Sequence, residues 1–417
     1  MIAFRRSHTM VAVAVLLPLL TVLLSGVHSY DNGVGALPPM GWNSWCTDDA
    51  CGARDYCTDR EVRSVAEAMV AQNLTALGYR YVNLDDCWSA QTRDAQGRLQ
   101  ADAKRFPNGM KSLISYVHSL GLKMGLYTCV GTKTCRGDRP GSYGNYELDA
   151  QTLAEWGVDF VKADNCNRPS GTDGKDLYEQ FSQALNATGR PILFSLCNWG
   201  DEDVTSWGAD VGQMFRIQMD HIPFWHFPPL AAGEGFGQGV YDIIRYMATL
   251  KPSTIVKPYG YMDPDFLETL FPVTMPYNVS RVEVSFWSLW SAPLLVATDL
   301  RHLSQEKRSL IANHEVIAVD QDPLCTAGDQ LFENADHTQA WAKPLHDGSM
   351  AVILFNPNSA DSSASITLQW SQLGWPSDAT VAVRDLWTHS QVGSFSGSIT
   401  RQVAGHDVFM FRATRTQ

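Results

Sequence analysis

A short apolar run followed by a stretch of helical periodicity, repeated between about residues 36 and 320, is the feature that most limits what this chain can fold into. YRYVNLD at 79–85 reads as a strand, and positions 109–120 carry Leu113, Ile114, Val117 and Leu120 at helical spacing before Gly121. KMGLYT at 123–128 is the next strand; 148–156 is helical and stops at Gly157. VDFVKA at 158–163, a helix over 176–185 and PILFSL at 191–196 continue the alternation. Further strands fit 39–45, 214–218, 253–258 and 294–298, which makes eight. Parallel strands need long crossovers, and helices supply them here. The expected fold class is therefore α/β, a closed (β/α)8 TIM barrel, with a doubly wound open sheet as the alternative.

After Pro323 the pattern changes. QAWAKPL, SMAVILFN, SASITLQW, TVAVRDLW and DVFMFRA are short alternating strands with no long helix between them. They predict a C-terminal antiparallel β-sandwich over 325–417, behind a barrel over 30–324. The first 29 residues read differently. Arg5 and Arg6 precede an uncharged apolar run over 10–24, and small residues at Val27 and Ser29 mark a cleavage site. That is the pattern of a secretory signal peptide, too short for a spanning helix.

Losing the leader removes two positive charges and takes the net charge from −12 to −14. So acidic a protein is repelled by nucleic acid and by anionic membranes, and neither is an expected partner. Secretion makes disulfides the default use of the nine Cys, and no paired C-x2-C spacing of a zinc site occurs. No Gly-rich phosphate loop opens a helix either, so no cofactor and no metal are expected. Asn73, Asn186 and Asn278 stand in N-glycosylation sequons.

In a (β/α)8 enzyme the chemistry lies at the C-terminal ends of the strands. Those ends carry Trp42, Asn43 and Trp45; Asp85, Asp86 and Trp88; Tyr127; Lys162 and Asp164; Asn198 and Trp199; Arg216 and Asp220; Asp263 and Asp265. A ring of carboxylates and aromatics with two cations suits a polyhydroxylated sugar, whose hydroxyls donate to carboxylates and whose C–H faces stack on indoles. Lys162 and Asp164 are two apart on one strand and point the same way. The ammonium would hold Asp164 ionised, as a nucleophile requires, although a plain ion pair at the barrel mouth has the same pattern.

The segments MGWNSW (40–45), LGYRYVNLDDCW (77–88), GLYTCVGTKTC (125–135), WGVDFVKADNC (156–166), SLCNWG (195–200), FRIQMD (215–220), MDPDFL (262–267) and APLLVATDLRHLS (292–304) come in this order. Together they closely resemble glycoside hydrolase family 27, which holds α-galactosidases and α-N-acetylgalactosaminidases. The likeness runs from about residue 37 to 325 and continues more weakly through RDLWTHSQVGSFSGSIT. It implies a retaining exo-glycosidase acting on terminal α-D-galactosyl residues, with Asp164 as nucleophile and Asp220 as acid/base. It further implies sugar contacts from Trp45, Asp85, Asp86, Tyr127, Lys162, Arg216 and Asp265. The family's disulfides imply Cys51–Cys87 and Cys135–Cys166. Proximity adds Cys46 with Cys57, and Cys129, Cys197 and Cys325 stay unassigned.

The chain departs from the family in two places. Many members have Glu after the Cys of the fifth strand, where this chain has Asn198, which is expected to meet the sugar's position-2 substituent. α-N-acetylgalactosaminidase therefore stays an alternative, as does β-L-arabinopyranosidase, although a short Asp85 leaves room for galactose's last carbon. A silent glycan-binding protein is the reading from another class, and intact Asp164 and Asp220 speak against it. Second, in YGYMDPD at 259–265 and just after it Met262 and Phe266 are more apolar than in common versions, a change expected to reshape the pocket rim or the leaving-group site, and QMDHIPFWHF at 218–227 is aromatic-rich. His221 and His226 there are expected at the rim. The partner is a carbohydrate, with a homodimer allowed and an extracellular, lysosomal or vacuolar destination.

Overall fold

The computed structural model describes residues 30–47, 51–53, 56–227 and 237–416, so the expected leader at 1–29 lies outside the described residues. Eight parallel strands form one curled sheet: β1 (Met40–Asn43), β2 (Tyr81–Leu84), β3 (Lys123–Cys129), β4 (Phe160–Asp164), β5 (Leu193–Cys197), β6 (Met214–Arg216), β7 (Tyr261–Asp263) and β8 (Leu294–Val296). Neighbours in sequence pair in space from β1 to β7, and β8 pairs with β1. The ring closes just beyond β7. Leu267 donates its N–H to Leu295 and accepts from Ala297, both at 2.9 Å. Helices follow every strand, as a parallel barrel requires. The strands are buried on both faces, which explains why their sequences run apolar rather than alternating. Close approach inside the barrel needs Gly125, where a Cβ would meet the Asn83 amide oxygen at 2.1 Å.

One strand was misplaced by the sequence reading. Residues 253–258 do not form the seventh strand; Pro252–Ile255 is a single helical turn with Pro at its start, and β7 lies a few residues later. The β-branched run looked like a strand, but proline's fixed φ pre-sets a first helical turn. Tyr261 N–H then joins the sheet by donating to Gln213 O at 2.9 Å.

The antiparallel part follows: β9 (Asp329–Glu333), β10 (Gln339–Pro344), β11 (Met350–Asn356), β12 (Ser363–Gln369), β13 (Thr380–Asp385), β14 (Ser390–Ser396), β15 (Ser398–Ala404) and β16 (Asp407–Arg415). Six of them make a sheet in the order β14-β13-β16-β11-β10-β9, and β12 pairs with β15 as a second layer. β9, β14 and β15 are not among the strands expected from the sequence. Most of β14 is exposed on both faces and has no apolar side to read. The expected division at 324/325 falls between helix His314–Asp320 and β9.

The middle of the large sheet, β10 and β11, is buried on both faces, and period two sorts the side chains there. Ala340, Val352, Leu354 and Phe411 pack toward β12 and β15 with Ile366, Leu368 and Ile399. Trp341, Ile353, Phe355 and Met410 face the other way and merge with the barrel core. There Phe286 sits edge-on to Trp341 at 5.4 Å and to Phe355 at 5.1 Å. Arg384 makes two bonds to Glu315 across the same seam, at 2.6 and 2.7 Å.

Candidate active site

A cavity of about 430 Å³ opens at the C-terminal ends of the barrel strands. A larger groove of about 720 Å³ lies between helices Tyr146–Trp156 and Gly174–Ala187. Glu147 is the one carboxylate lining it, so it lacks the paired acids of the barrel mouth.

Register builds the floor of the cavity. On β4, Asp164 stands level with Cys129 of β3 and Cys197 of β5. Burial pushes its carboxyl up to about 6; Lys162 opposes that, while Asp220 and Asp85 add to it. The disulfide Cys135–Cys166 sits beside it, with Cys135 Sγ 3.2 Å from Oδ2. Lys162 does not form the plain ion pair with Asp164 that the spacing also allowed. Its Nζ donates to Asp85 Oδ2 at 2.9 Å, and its ammonium lies 4.8 Å from the centre of the Phe266 ring and 5.4 Å from that of Tyr127. The ammonium therefore reaches Asp164 only through its field.

Asp85 is held from every side. Oδ2 also accepts from Asn43 Nδ2 at 3.2 Å, Oδ1 accepts from Asp86 N–H, and its own N–H donates to Ser44 Oγ. The neighbouring Asp86 accepts Arg136 N–H at 3.2 Å. Burial, joined by the Asp85 charge, raises its carboxyl above the usual range. The Arg136 guanidinium lies 5.2 Å from the centre of the Trp45 ring and fixes that wall. Neither Arg136 nor Met219 was foreseen in the sequence, because both lie on loops beyond the strand ends, yet both line the cavity.

The opposite set of groups comes from β6 and β7. Arg216 is buried and splits its charge between two carboxylates: Nη2 lies 2.9 Å from Asp265 Oδ2 and 3.1 Å from Asp220 Oδ1. Asp265 has φ +87°, a conformation rare for any residue but glycine. Three hydrogen bonds impose it. Its N–H donates to Asp263 Oδ1, while its carboxylate accepts from Phe266 N–H and His221 N–H. Such a locally strained residue marks a place where surrounding structure over-determines geometry. Trp199 likewise has φ +58° and lines the cavity. Its neighbour Gly200 must be glycine, since a Cβ would meet Ile217 O at 2.2 Å.

Nine of the ten expected catalytic and substrate-binding residues line this cavity: Trp45, Asp85, Asp86, Tyr127, Lys162, Asp164, Arg216, Asp220 and Asp265. Asn198 does not. It is fully buried, donates Nδ2 to Asp201 O at 2.8 Å, and leaves the cavity wall to Trp199. His221 is not at the rim either; it is buried behind the cavity. His226 is half-exposed and bonds Asp242.

The disulfides correct two pairings. Cys51 joins Cys46, and Cys87 joins Cys57, while Cys135–Cys166 is as expected. Cys129, Cys197 and Cys325 are free and buried. Of the sequons, Asn73 and Asn186 are exposed, but Asn278 donates its amide nitrogen, the atom glycosylation would use, to His406 O at 3.1 Å.

Two carboxylates in one cavity, one desolvated and one solvent-facing beside an arginine, are the groups that acid-assisted displacement at an acetal carbon calls for. Comparison with known proteins agrees. The family model described as alpha galactosidase A matches residues 37–322, and that of the alpha galactosidase C-terminal beta sandwich domain matches 335–413. The alpha-galactosidase of Coffea arabica is 41% identical over 92% of this chain and 95% of its own length. That of Cyamopsis tetragonoloba is 40% identical over 92% and 88%. The crystal structure of alpha-galactosidase I from Mortierella vinacea superposes with a TM-score of 0.86 at 32% identity, covering 92% of this chain and 98% of that one. The Saccharomyces cerevisiae enzyme solved with raffinose gives 0.84 at 25%, covering 92% and 99%.

Proposed function

The chain belongs to the α-galactosidase family, glycoside hydrolase family 27, and from that membership we propose that it releases terminal α-D-galactosyl groups with retention, using Asp164 as nucleophile and Asp220 as acid/base. The observation that carries the reading is the pairing of a buried Asp164 with a half-exposed Asp220 in one cavity. Asp164 attacks the anomeric carbon as Asp220 gives its proton to the departing glycosidic oxygen. Water then enters, loses a proton to Asp220 and displaces Asp164. Lys162, Asp85 and Asp86 bind hydroxyls, and Trp45 supplies a stacking face. Asn198 does not line the cavity and its neighbour Trp199 does, so we assign the wall that meets the sugar on this side to Trp199 rather than to Asn198. Three disulfides suit a chain that matures along the oxidising secretory route, and no helix among the described residues is long and apolar enough to cross a membrane. Extracellular, lysosomal and vacuolar destinations all share that route.

The test is turnover of p-nitrophenyl α-galactoside against the α-N-acetylgalactosaminide and the β-L-arabinopyranoside. Preference for either of the last two would overturn the substrate assignment. Asp220→Gly should lower kcat/KM on raffinose by about 10²- to 10⁴-fold, the usual worth of a general acid. On 2,4-dinitrophenyl α-galactoside, whose leaving group needs no proton, glycosylation should be nearly unaffected. Equal losses of kcat/KM on both substrates would remove Asp220 from the acid role.

A pH effect follows from Lys162. Asp164 must be ionised to attack, so kcat/KM should fall on the acid side as this carboxyl, at about 6, takes up a proton. Lys162 holds that value down, so Lys162→Met should move the acid limb to higher pH. A limb that stays in place, measured as log kcat/KM against pH, would show that another group controls it.

A further inference from the structure

The segment that follows Asp220 holds a buried cluster that the mechanism above does not use. The His221 ring is completely enclosed, with Nδ1 3.1 Å from Glu268 Oε2 and Nε2 3.4 Å from Glu283 Oε1. Both approaches are oblique, and neither ring nitrogen has a well-formed hydrogen bond. The two glutamates are themselves buried. Glu283 sits within helix Tyr277–Leu289 and accepts Glu268 N–H at 2.7 Å. From the same helix, the Trp287 ring packs 5.6 Å from the imidazole. The Cys46–Cys51 disulfide closes the far side, its sulfurs 3.2 and 3.7 Å from Glu268 Oε1. The cluster thus ties together the loop after β1, the loop after β7 and the helix behind them.

Three ionisable groups in a dry place are costly unless they stay uncharged or pair well. Burial pushes Glu283 up to about 8 and Glu268 well above the carboxylate range. Burial, then the Arg216 charge, pushes His221 down to about 3. Burial thus favours the uncharged form of all three groups.

Asp220 is what such an anchor can serve. Its side chain is 54% exposed, and its carboxylate is tethered through Arg216 Nη2, a group it shares with Asp265. Its backbone is held much more firmly. Its carbonyl accepts Gln238 N–H at 2.8 Å, and the very next N–H, that of His221, donates to Asp265 Oδ2 at 2.8 Å. The wedged imidazole follows on the same residue. Any rotation of the chain at Asp220 must drag that ring out of its socket.

We infer that His221, clamped between Glu268 and Glu283, is a positioning residue that sets the aim of Asp220 toward the glycosidic oxygen. This rests on Asp220 being the acid/base. The proton passes from the Asp220 carboxyl to the leaving oxygen as the C–O bond breaks, so a misaimed carboxyl matters most when the leaving group is a poor one.

His221→Phe keeps the ring beside Trp287 and removes both nitrogens. It should lower kcat/KM, which reports the glycosylation step, on raffinose by about 100-fold, within the range of general acid catalysis, and on 2,4-dinitrophenyl α-galactoside by under about fivefold. On the dinitrophenyl glycoside kcat and KM should fall together, because the water that ends the second step also gives its proton to Asp220. A merely structural role would lower both activities together, by reducing the folded fraction; that result, or no loss at all, overturns the inference. If His221→Phe does not accumulate as folded protein, His221→Gln, whose amide still reaches one carboxyl, should show the same split at about tenfold. Its absence there is equally decisive. Asp220→Gly is run alongside. If it shows the split and the His221 variants do not, the inference fails and the acid/base assignment stands. If it shows none, the assignment fails and takes the inference with it.

Discussion

Asp164→Gly should lose turnover of α-galactosides by about 10⁴-fold or more, since the covalent route disappears with the nucleophile proposed above. Added azide should restore part of the rate by entering the space the carboxylate leaves. The product identifies the role. In a retaining enzyme Asp164 faces the side of the sugar away from the leaving group, so azide in its place attacks from that side and gives β-galactosyl azide. Azide rescue of Asp220→Gly should instead give the α-azide, because there the intermediate on Asp164 forms first and azide displaces it. Opposite anomers from the two variants would establish the division of labour between two aspartates of one cavity. An α-azide from Asp164→Gly would reverse the two roles. The structure explains why Asp164 depends on so exact a setting. Its carboxyl is buried and pushed up by desolvation, and Lys162, bonded to Asp85, is the cation that restrains the shift.

The second large effect is on stability. Phe286→Ala should cost about 3–5 kcal/mol, the usual range for removing a buried aromatic ring. Phe286 is fully buried in helix Tyr277–Leu289 and its ring meets Trp290, Trp341 and Phe355. Two of these belong to the antiparallel sheet and one to the barrel side, so a cavity there is walled by both and collapses poorly. The urea midpoint should fall in one transition shared by near-UV and far-UV circular dichroism. A loss below about 1 kcal/mol would mean that the seam is loosely packed; two separated transitions would mean that barrel and sandwich unfold independently. The same helix carries Glu283 toward the catalytic face, so the seam and the site share a support.

Much of this was legible from local pattern. Alternation of apolar runs with helical periodicity predicts the barrel because parallel strands cannot be joined without crossovers. Strand ends then name the cavity. Asp85, Asp164 and Arg216 stand there because the active face of such a barrel is the C-terminal one. The seventh strand was misread because Ser-Thr-Ile-Val has strand-like chemistry while the preceding Pro252 starts a helical turn. Only the wider context, the docking of Tyr261 beside Gln213, decided between them.

What the sequence by itself determined is the order of the units, the change to antiparallel strands after Pro323, and which chemical groups reach the barrel mouth. These depend on periods of two and 3.6, which are local properties of the chain. What only the tertiary structure decided is which of those groups touch. Lys162 bonds Asp85, 77 positions away, rather than Asp164 two positions away. Cys51 takes Cys46 and leaves Cys57 to Cys87. Asn198 turns into the wall to meet Asp201 O, and His221 sinks between two glutamates from elsewhere in the chain. Each outcome is set by strand register and by the cost of leaving a polar group buried without a partner. Both are properties of the assembled barrel and are not carried by any single segment of it.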